Sequence, residues 1–233
     1  MAFGGGNEFY VQNVERIGHE AQAMNCFDTI NTVTDLDLKN HVDHAVFYAQ
    51  HGKFLEENKR GFGYWLWKPY LIKKQLEAMA ENEILVYADS RCTLNVQGKP
   101  RLKEYFELVN QSPYGNLAFC LDYLEKMWTK MDLFAYLNSY EHLLTKHLNA
   151  TAFVIRKCDH SVNLINKWYA TSCNYDLIND RPSTLPNDAI FLEHRHDQSV
   201  WSLLRKQYGC VVIKDETWFP DRQKGKQYPI WRY

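Results

Sequence analysis

The chain has 233 residues, 27 Lys and Arg against 28 Asp and Glu, and 45% hydrophobic residues. Its length suits one large domain with a substantial core and leaves little room for a second. A net charge of −1 does not favour nucleic acid over a small ligand, and no apolar run approaches the ~20 residues of a membrane helix.

The opening Met1-Ala2-Phe3-Gly4-Gly5-Gly6 has neither the basic nor the apolar region of a signal peptide. Cys26, Cys92, Cys120, Cys158, Cys173 and Cys210 lack zinc-like or redox spacing. Several lie in apolar runs such as Phe119-Cys120-Leu121, which predicts buried thiols and a reducing, cytoplasmic setting.

In chain order, Ala2 and Phe3 read as a short strand closed by three glycines. Tyr10, Val14, Ile17, Ala21 and Met24 recur at helical spacing, which predicts a helix over about 8–25. A short strand near 28–33 is expected next, then short helices and loops over about 36–60. Trp65, Ile72, Leu76 and Met79 mark a helix over about 68–80, with Pro69 suited to its first turn. Ile84-Leu85-Val86-Tyr87-Ala88 is β-rich and free of charge, as a strand covered on both faces is. A helix near 101–110, a strand near 116–120 and helical turns through about 123–148 follow. Ala152–Ile155 reads as a buried strand. Ile165, Trp168, Tyr169 and Ser172 mark a helix over about 160–173, with Asp159 or Ser161 as its cap. A last helix, about 198–208, stops at Gly209 before a strand at about 210–213. Such alternation predicts an α/β domain with a mostly parallel sheet.

Six motifs carry chemistry. Gly4-Gly5-Gly6 before a helix N-terminus suits close approach of an anion, and equally a plain tight turn. Phe9 breaks any G-x-G-x-x-G pattern, so a dinucleotide oxidoreductase is disfavoured. In Tyr64-Trp65-Leu66-Trp67-Lys68-Pro69, Lys68 sits at a helix start, where the dipole disfavours cations, and a bound anion would account for it. The two Trp side chains suit the core or a sugar-stacking surface.

Asp89 ends a buried strand, the edge where open α/β sheets place ligands; a turn or cap residue would sit there too. In Glu193-His194-Arg195-His196-Asp197-Gln198-Ser199, Asp197 fits a helix N-cap or an acid working on substrate. His196 fits a polar contact or a metal ligand. Thr129-Lys130-Met131-Asp132 opens a helical stretch and reads as a cap with a solvated lysine, or as a phosphate contact beside an orienting acid. Arg222, Lys224, Lys226 and Arg232, interleaved with Tyr228, Trp231 and Tyr233, read as a solvated tail or as a flap closing over an anion.

The aromatic block at 64–69 followed by a strand ending in Asp89 resembles the glycosyltransferases of the GT-A fold. The likeness is to small enzymes of bacterial polysaccharide clusters and large DNA viruses, and it spans most of the chain. It implies a GT-A-like, Rossmann-like sheet flanked by helices, with one catalytic domain over 1–220 and a basic aromatic tail over 221–233. It also implies a nucleoside-diphosphate sugar donor and a hydroxyl acceptor on a glycan or glycoprotein, in the host cytoplasm for a viral enzyme. Donor binding then falls to Gly4, Gly5, Gly6, Lys68, Asp89, Arg91 and Lys130, and the acceptor to Asp132 and Trp65. Asp197 and His196 stand at the reacting end. Asp89 would be the ligand of a Mn²⁺ or Mg²⁺ ion, yet Arg91 occupies the second acid position of the family's Asp-X-Asp. A guanidinium there can neutralise a diphosphate itself, which weakens the expected metal dependence. A nucleotide-sugar-binding module without turnover is the rival reading.

Overall fold

The computed structural model describes residues 1–232, and Tyr233 lies outside them. The elements in chain order are β1 (Ala2–Gly4), α1 (Glu8–Met24), β2 (Thr32–Thr34), α2 (Asp35–Asn40), α3 (Ala45–Glu57), α4 (Gly61–Tyr64), α5 (Trp67–Ala78), β3 (Ile84–Ala88), β4 (Thr93–Leu94) and α6 (Lys99–Gln111). They continue with β5 (Asn116–Leu124), α7 (Glu125–Trp128), α8 (Met131–Leu137), β6 (Lys146–Leu148), β7 (Ala152–Arg156), α9 (Asp159–Ser172), α10 (His196–Tyr208), β8 (Val211–Lys214) and β9 (Ile230–Trp231).

The α/β class agrees with the sequence pattern, but the strand directions do not. β7 runs antiparallel to both β3 and β5, and β6 antiparallel to β5, while β8 is parallel to β5. The central sheet is therefore mixed rather than mostly parallel. β3 and β5 do run the same way, joined across α6, and β7 inserts between them. The chain reaches β7 through α7, α8 and the strand β6, so no single crossover helix fixes its direction. At the other edge β1 pairs in parallel with β2. Met1 donates its amino group to Val86 O at 2.8 Å, and Ala88 N–H donates to Met1 O at 3.2 Å. That is the pattern of a parallel ladder centred on Tyr87, and it brings the carboxyl ends of β1 and β3 to one edge.

Alternation along the strands divides the core. Leu85 and Tyr87 join Leu71, Phe153, Trp168 and Trp201 on the face covered by α5, α9 and α10. Val86 and Ala88 join Val14, Ile17, Leu102 and Tyr105 on the face covered by α1 and α6. Gly4 is required at the β1–α1 turn, because a Cβ there would lie 2.0 Å from Tyr10 O. Helix α1 matches its predicted span and is capped by Asn7, whereas β2 starts later than expected. At α9 neither Asp159 nor Ser161 is the N-cap: Cys158 holds that position, and its N–H donates to Ser161 Oγ at 3.1 Å.

The last residues are not a free tail. β9 pairs antiparallel with β4, Ile230 is buried in the core, and Trp231 Nε1 donates to Gly225 O at 2.9 Å. Among the described residues the C-terminal segment is packed on the domain rather than a solvated tail. Among the described residues no helix is long and apolar enough to cross a membrane.

Candidate active site

Three chain segments deliver charged side chains to the carboxyl end of β3. Asp89 follows β3, and its N–H donates to Thr151 O at 2.8 Å, which fixes the strand end against the Asn149–Thr151 loop. Lys68 comes from the first turn of α5 and Asp197 from the first turn of α10. The Lys68 ammonium lies 3.1 Å from Asp89 Oδ1 and 2.9 Å from Asp197 Oδ2, and donates to Ala150 O at 3.3 Å. Tyr87, two residues before Asp89 and so on the same side of the strand, donates its hydroxyl to Asp89 Oδ1 at 2.6 Å.

Exposure separates the two acids. The Asp89 side chain is 25% exposed and that of Asp197 only 5%, so a ligand meets Asp89 and not Asp197. Burial pushes the Asp197 carboxyl up to about 6 despite the pull of Lys68. Burial also opposes charge on Lys68, but Asp197 and Asp89 together outweigh it and raise the ammonium above its usual value. Burial and the neighbouring Asp89 charge keep the Tyr87 phenol protonated well beyond its ordinary range. Asp197 is therefore not the N-cap of α10, a position held by Arg195, but the buried counter-ion of Lys68.

The wall beside this cluster is strained. Gly61, Phe62, Gly63, Tyr64 and Trp65 all have positive φ, from +49° to +79°. Tyr64 N–H donates to Arg60 O and Trp65 N–H to Gly61 O, so α4 is one left-handed helical turn. Each non-glycine residue there costs roughly 1–2 kcal/mol, and such strain persists where the surroundings fix it. Trp65 stacks on His196 with centroids 5.3 Å apart, and Tyr64 packs on the same ring at 5.0 Å. His196 itself has φ +51°. Its Nδ1 donates to Ile178 O at 2.7 Å, and burial holds its pKa down to about 4. It is a buried neutral spacer that sets the position of Asp197, not an exposed ligand. Trp67 belongs to the core, stacked on Phe3 at 3.9 Å.

The glycine turn joins this wall. Gly4 and Gly5 are buried, Gly6 is exposed, Gly6 N–H donates to Asp35 Oδ2 at 2.9 Å, and a Cβ on Gly6 would lie 3.5 Å from Phe62. Arg91 is exposed, and among the described residues no hydrogen bond or ion pair engages its guanidinium. Lys130 and Asp132 go elsewhere. Lys130 is buried, donates to Asn179 O and Oδ1 at 3.3 Å, and burial lowers its pKa. Asp132 accepts from Thr184 N–H, Thr184 Oγ1 and Leu185 N–H. Both hold the 176–195 segment against α8.

Sequence reasoning missed Tyr87, Gln198 and the Asn149–Thr151 loop. Strand alternation would have found Tyr87 beside Asp89. Gln198 accepts from Ala150 N–H at 3.0 Å through Oε1, tying the start of α10 to that loop. Nothing in the local pattern marks 149–151, since their role comes only from the sheet.

The residues do not fit the divalent metal that the resemblance implies. Asp89 Oδ1 is already shared by Lys68 and Tyr87, a cation lies between the two acids, and Arg91 replaces the second acid. Among the described residues no three His, Cys, Asp or Glu side chains converge.

No family model matches the chain, and no curated protein matches it in sequence. Solved structures do resemble it. One is a glycosyltransferase involved in glycosylation of the major capsid of PBCV-1, with TM-score 0.52, 9% identity, and coverage of 99% of this chain and 91% of that one. Another is the galactosyltransferase LgtC in complex with donor and acceptor sugar analogues, with TM-score 0.54, 10% identity, and coverage of 100% and 86%. At these identities the likeness speaks for architecture, and the chain has the GT-A fold of glycosyltransferases.

Proposed function

We propose that the chain is a glycosyltransferase that moves a sugar from a nucleoside-diphosphate sugar to a hydroxyl of a glycan or glycoprotein. The observation that carries this reading is the Lys68–Asp89–Asp197 cluster, at the carboxyl edge of a GT-A sheet and beside the Gly4–Gly6 turn. Ligands of open α/β sheets bind at that edge. Asp89, the reachable acid, accepts hydrogen bonds from donor hydroxyls. Arg91, uncommitted on the same loop, faces the diphosphate, whose negative charge grows as the glycosidic bond breaks. Stabilising that charge and holding the acceptor close supply most of the rate in such a transfer. Lys68 orients Asp89, and Asp197 holds Lys68 in place. Trp65 and Tyr64 stand on the acceptor side, both packed on His196. The six free thiols support a reducing compartment such as the cytoplasm.

The test is calorimetric titration with a panel of nucleoside-diphosphate sugars, followed by assay for nucleoside diphosphate release in the presence of glycan acceptors. Binding of one donor with release is expected. No binding by any donor would sink the proposal. The burial of Asp197 favours a second reading, a nucleotide-sugar-binding module, because a side chain only 5% exposed offers little to a substrate. Saturable donor binding with no release under any acceptor condition would select it.

A further inference from the structure

The innermost part of the site is two carboxylates and an ammonium, and the ammonium stands where a divalent ion would have to bind. Around Lys68 Nζ lie Asp197 Oδ2 at 2.9 Å, Asp89 Oδ1 at 3.1 Å and Ala150 O at 3.3 Å. Three hard oxygens about one centre are the kind of donor set that Mg²⁺ and Mn²⁺ select. Here the set is closed by a cation carried on the chain. The dipole of α5 works against a positive charge in its first turn, and the two acids supply the negative charge that offsets it. A divalent ion sharing Asp89 would stand a few ångströms from that ammonium and be repelled by it.

We propose that Lys68 is the resident cation of this site, filling the place between Asp89 and Asp197 that a divalent metal would take, so that the protein holds no Mn²⁺ or Mg²⁺ there. The cation's position stands on geometry alone, and its bearing on a donor diphosphate rests on the proposed function. Removing the ammonium leaves two carboxylates and a backbone carbonyl facing a space one lysine head wide. That is an incipient metal site.

The test is titration with Mn²⁺ alone, following the free ion by electron paramagnetic resonance. The wild type should show no binding tighter than ~1 mM that Asp89→Asn abolishes. Lys68→Ala should bind one Mn²⁺ at least ~tenfold more tightly, and Lys68→Ala with Asp197→Asn should lose that gain. Lys68→Arg, which keeps the charge, should behave as the wild type. A wild-type site that Asp89→Asn removes would overturn the proposal, as would a folded Lys68→Ala no tighter than the wild type. If Lys68→Ala does not fold, the wild type and Asp89→Asn decide the matter alone. No readout here involves sugar transfer. A failed glycosyltransferase reading would appear separately, as absent sugar-nucleotide binding with the Mn²⁺ results intact.

Discussion

Lys68 and Asp197 form an ion pair of 2.9 Å although each belongs to the first turn of a different helix. The α10 dipole favours Asp197 at its N-terminus, and the α5 dipole disfavours Lys68 at its own. The pair thus ties two helix starts together beneath Asp89, and Trp168 Nε1, donating to Asp197 O at 3.1 Å, braces it from α9. Breaking a buried pair by removing one partner costs about 3–5 kcal/mol, so this contact fixes the site floor.

Asp89→Asn is nearly isosteric and keeps a hydrogen-bond acceptor toward Tyr87. It should leave thermal stability within about 1 kcal/mol while lowering kcat/KM at least tenfold, about 1.4 kcal/mol of transition-state stabilisation. A variant with unchanged turnover and donor affinity would remove Asp89 from the mechanism.

Asp197 gives a pH signature. Its folded pKa, about 6, lies above the ordinary carboxyl value of 3.8, so the fold favours the protonated acid. Its contribution to stability is complete below about pH 4 and is lost as pH rises through about 6. Activity should run the other way, because protonating Asp197 leaves Lys68 to Asp89 alone. The expected profile of kcat/KM falls on the acid side with an apparent pKa near 6. Asp197→Asn should flatten that limb and lower the plateau; an unaltered limb would assign it to another group. His196 titrates in the same range, lowered to about 4, and stabilises the fold in the opposite sense, its share being lost as pH falls from about 6.5 to 4. The stability profile of Asp197→Asn, compared with that of the wild type, separates the two.

The left-handed turn makes Gly63 obligatory. At φ +79° a Cβ would lie 2.4 Å from Leu55 Cδ2 and 2.9 Å from Leu55 Cα. Gly63→Ala combines backbone strain of roughly 1–2 kcal/mol with a clash against the α3 backbone. A loss above about 2 kcal/mol in chemical denaturation is expected, together with a raised acceptor KM, since Tyr64 and Trp65 move with the turn. A loss under about 0.5 kcal/mol would mean that the turn relaxes freely.

Elements set by local periodicity were legible in the sequence. Helix α1 falls where its apolar spacing puts it and strand β3 where its charge-free run does, and Asp89 stands at the strand end as that run implies. Less legible was anything decided across the sheet. The antiparallel insertion of β7 leaves no mark in its own residues, since Ala152–Ile155 reads the same in either direction. Lys68 stands out in the sequence for opposing the helix dipole, but nothing local reveals that two protein carboxylates lie beside its ammonium. Asp197 fits a cap motif so well that only the tertiary position of Lys68 reveals its role. Lys130 and Asp132 carry residue types suited to phosphate and hydroxyl chemistry, yet their hydrogen bonds are spent on the 176–195 segment.

Removing residues 221–233 tests the C-terminal segment. Read as a basic flap, its loss would raise the donor KM and spare the fold. The structure sets another expectation. Ile230 is 1% exposed and packs with Val14, Ile17, Leu94 and Leu102, and β9 covers β4 just after the Asp89 loop. Asn95 Nδ2 donates to Lys226 O and Tyr228 O, and Arg232 pairs with Asp215 at 2.6 Å. Burying one isoleucine stabilises by about 1.5–3 kcal/mol, and the β4 backbone would lose its partner as well. Truncation should therefore lower Tm by several degrees, roughly 2–4 °C per kcal/mol for a domain of this size, and disturb the 89–94 loop. Replacing Lys224 and Lys226 together by Gln keeps Ile230 in place and isolates charge from packing. If Tm holds in that double variant while donor KM rises, the segment acts through charge as well. If truncation itself leaves Tm unchanged, β9 is not part of the folded core.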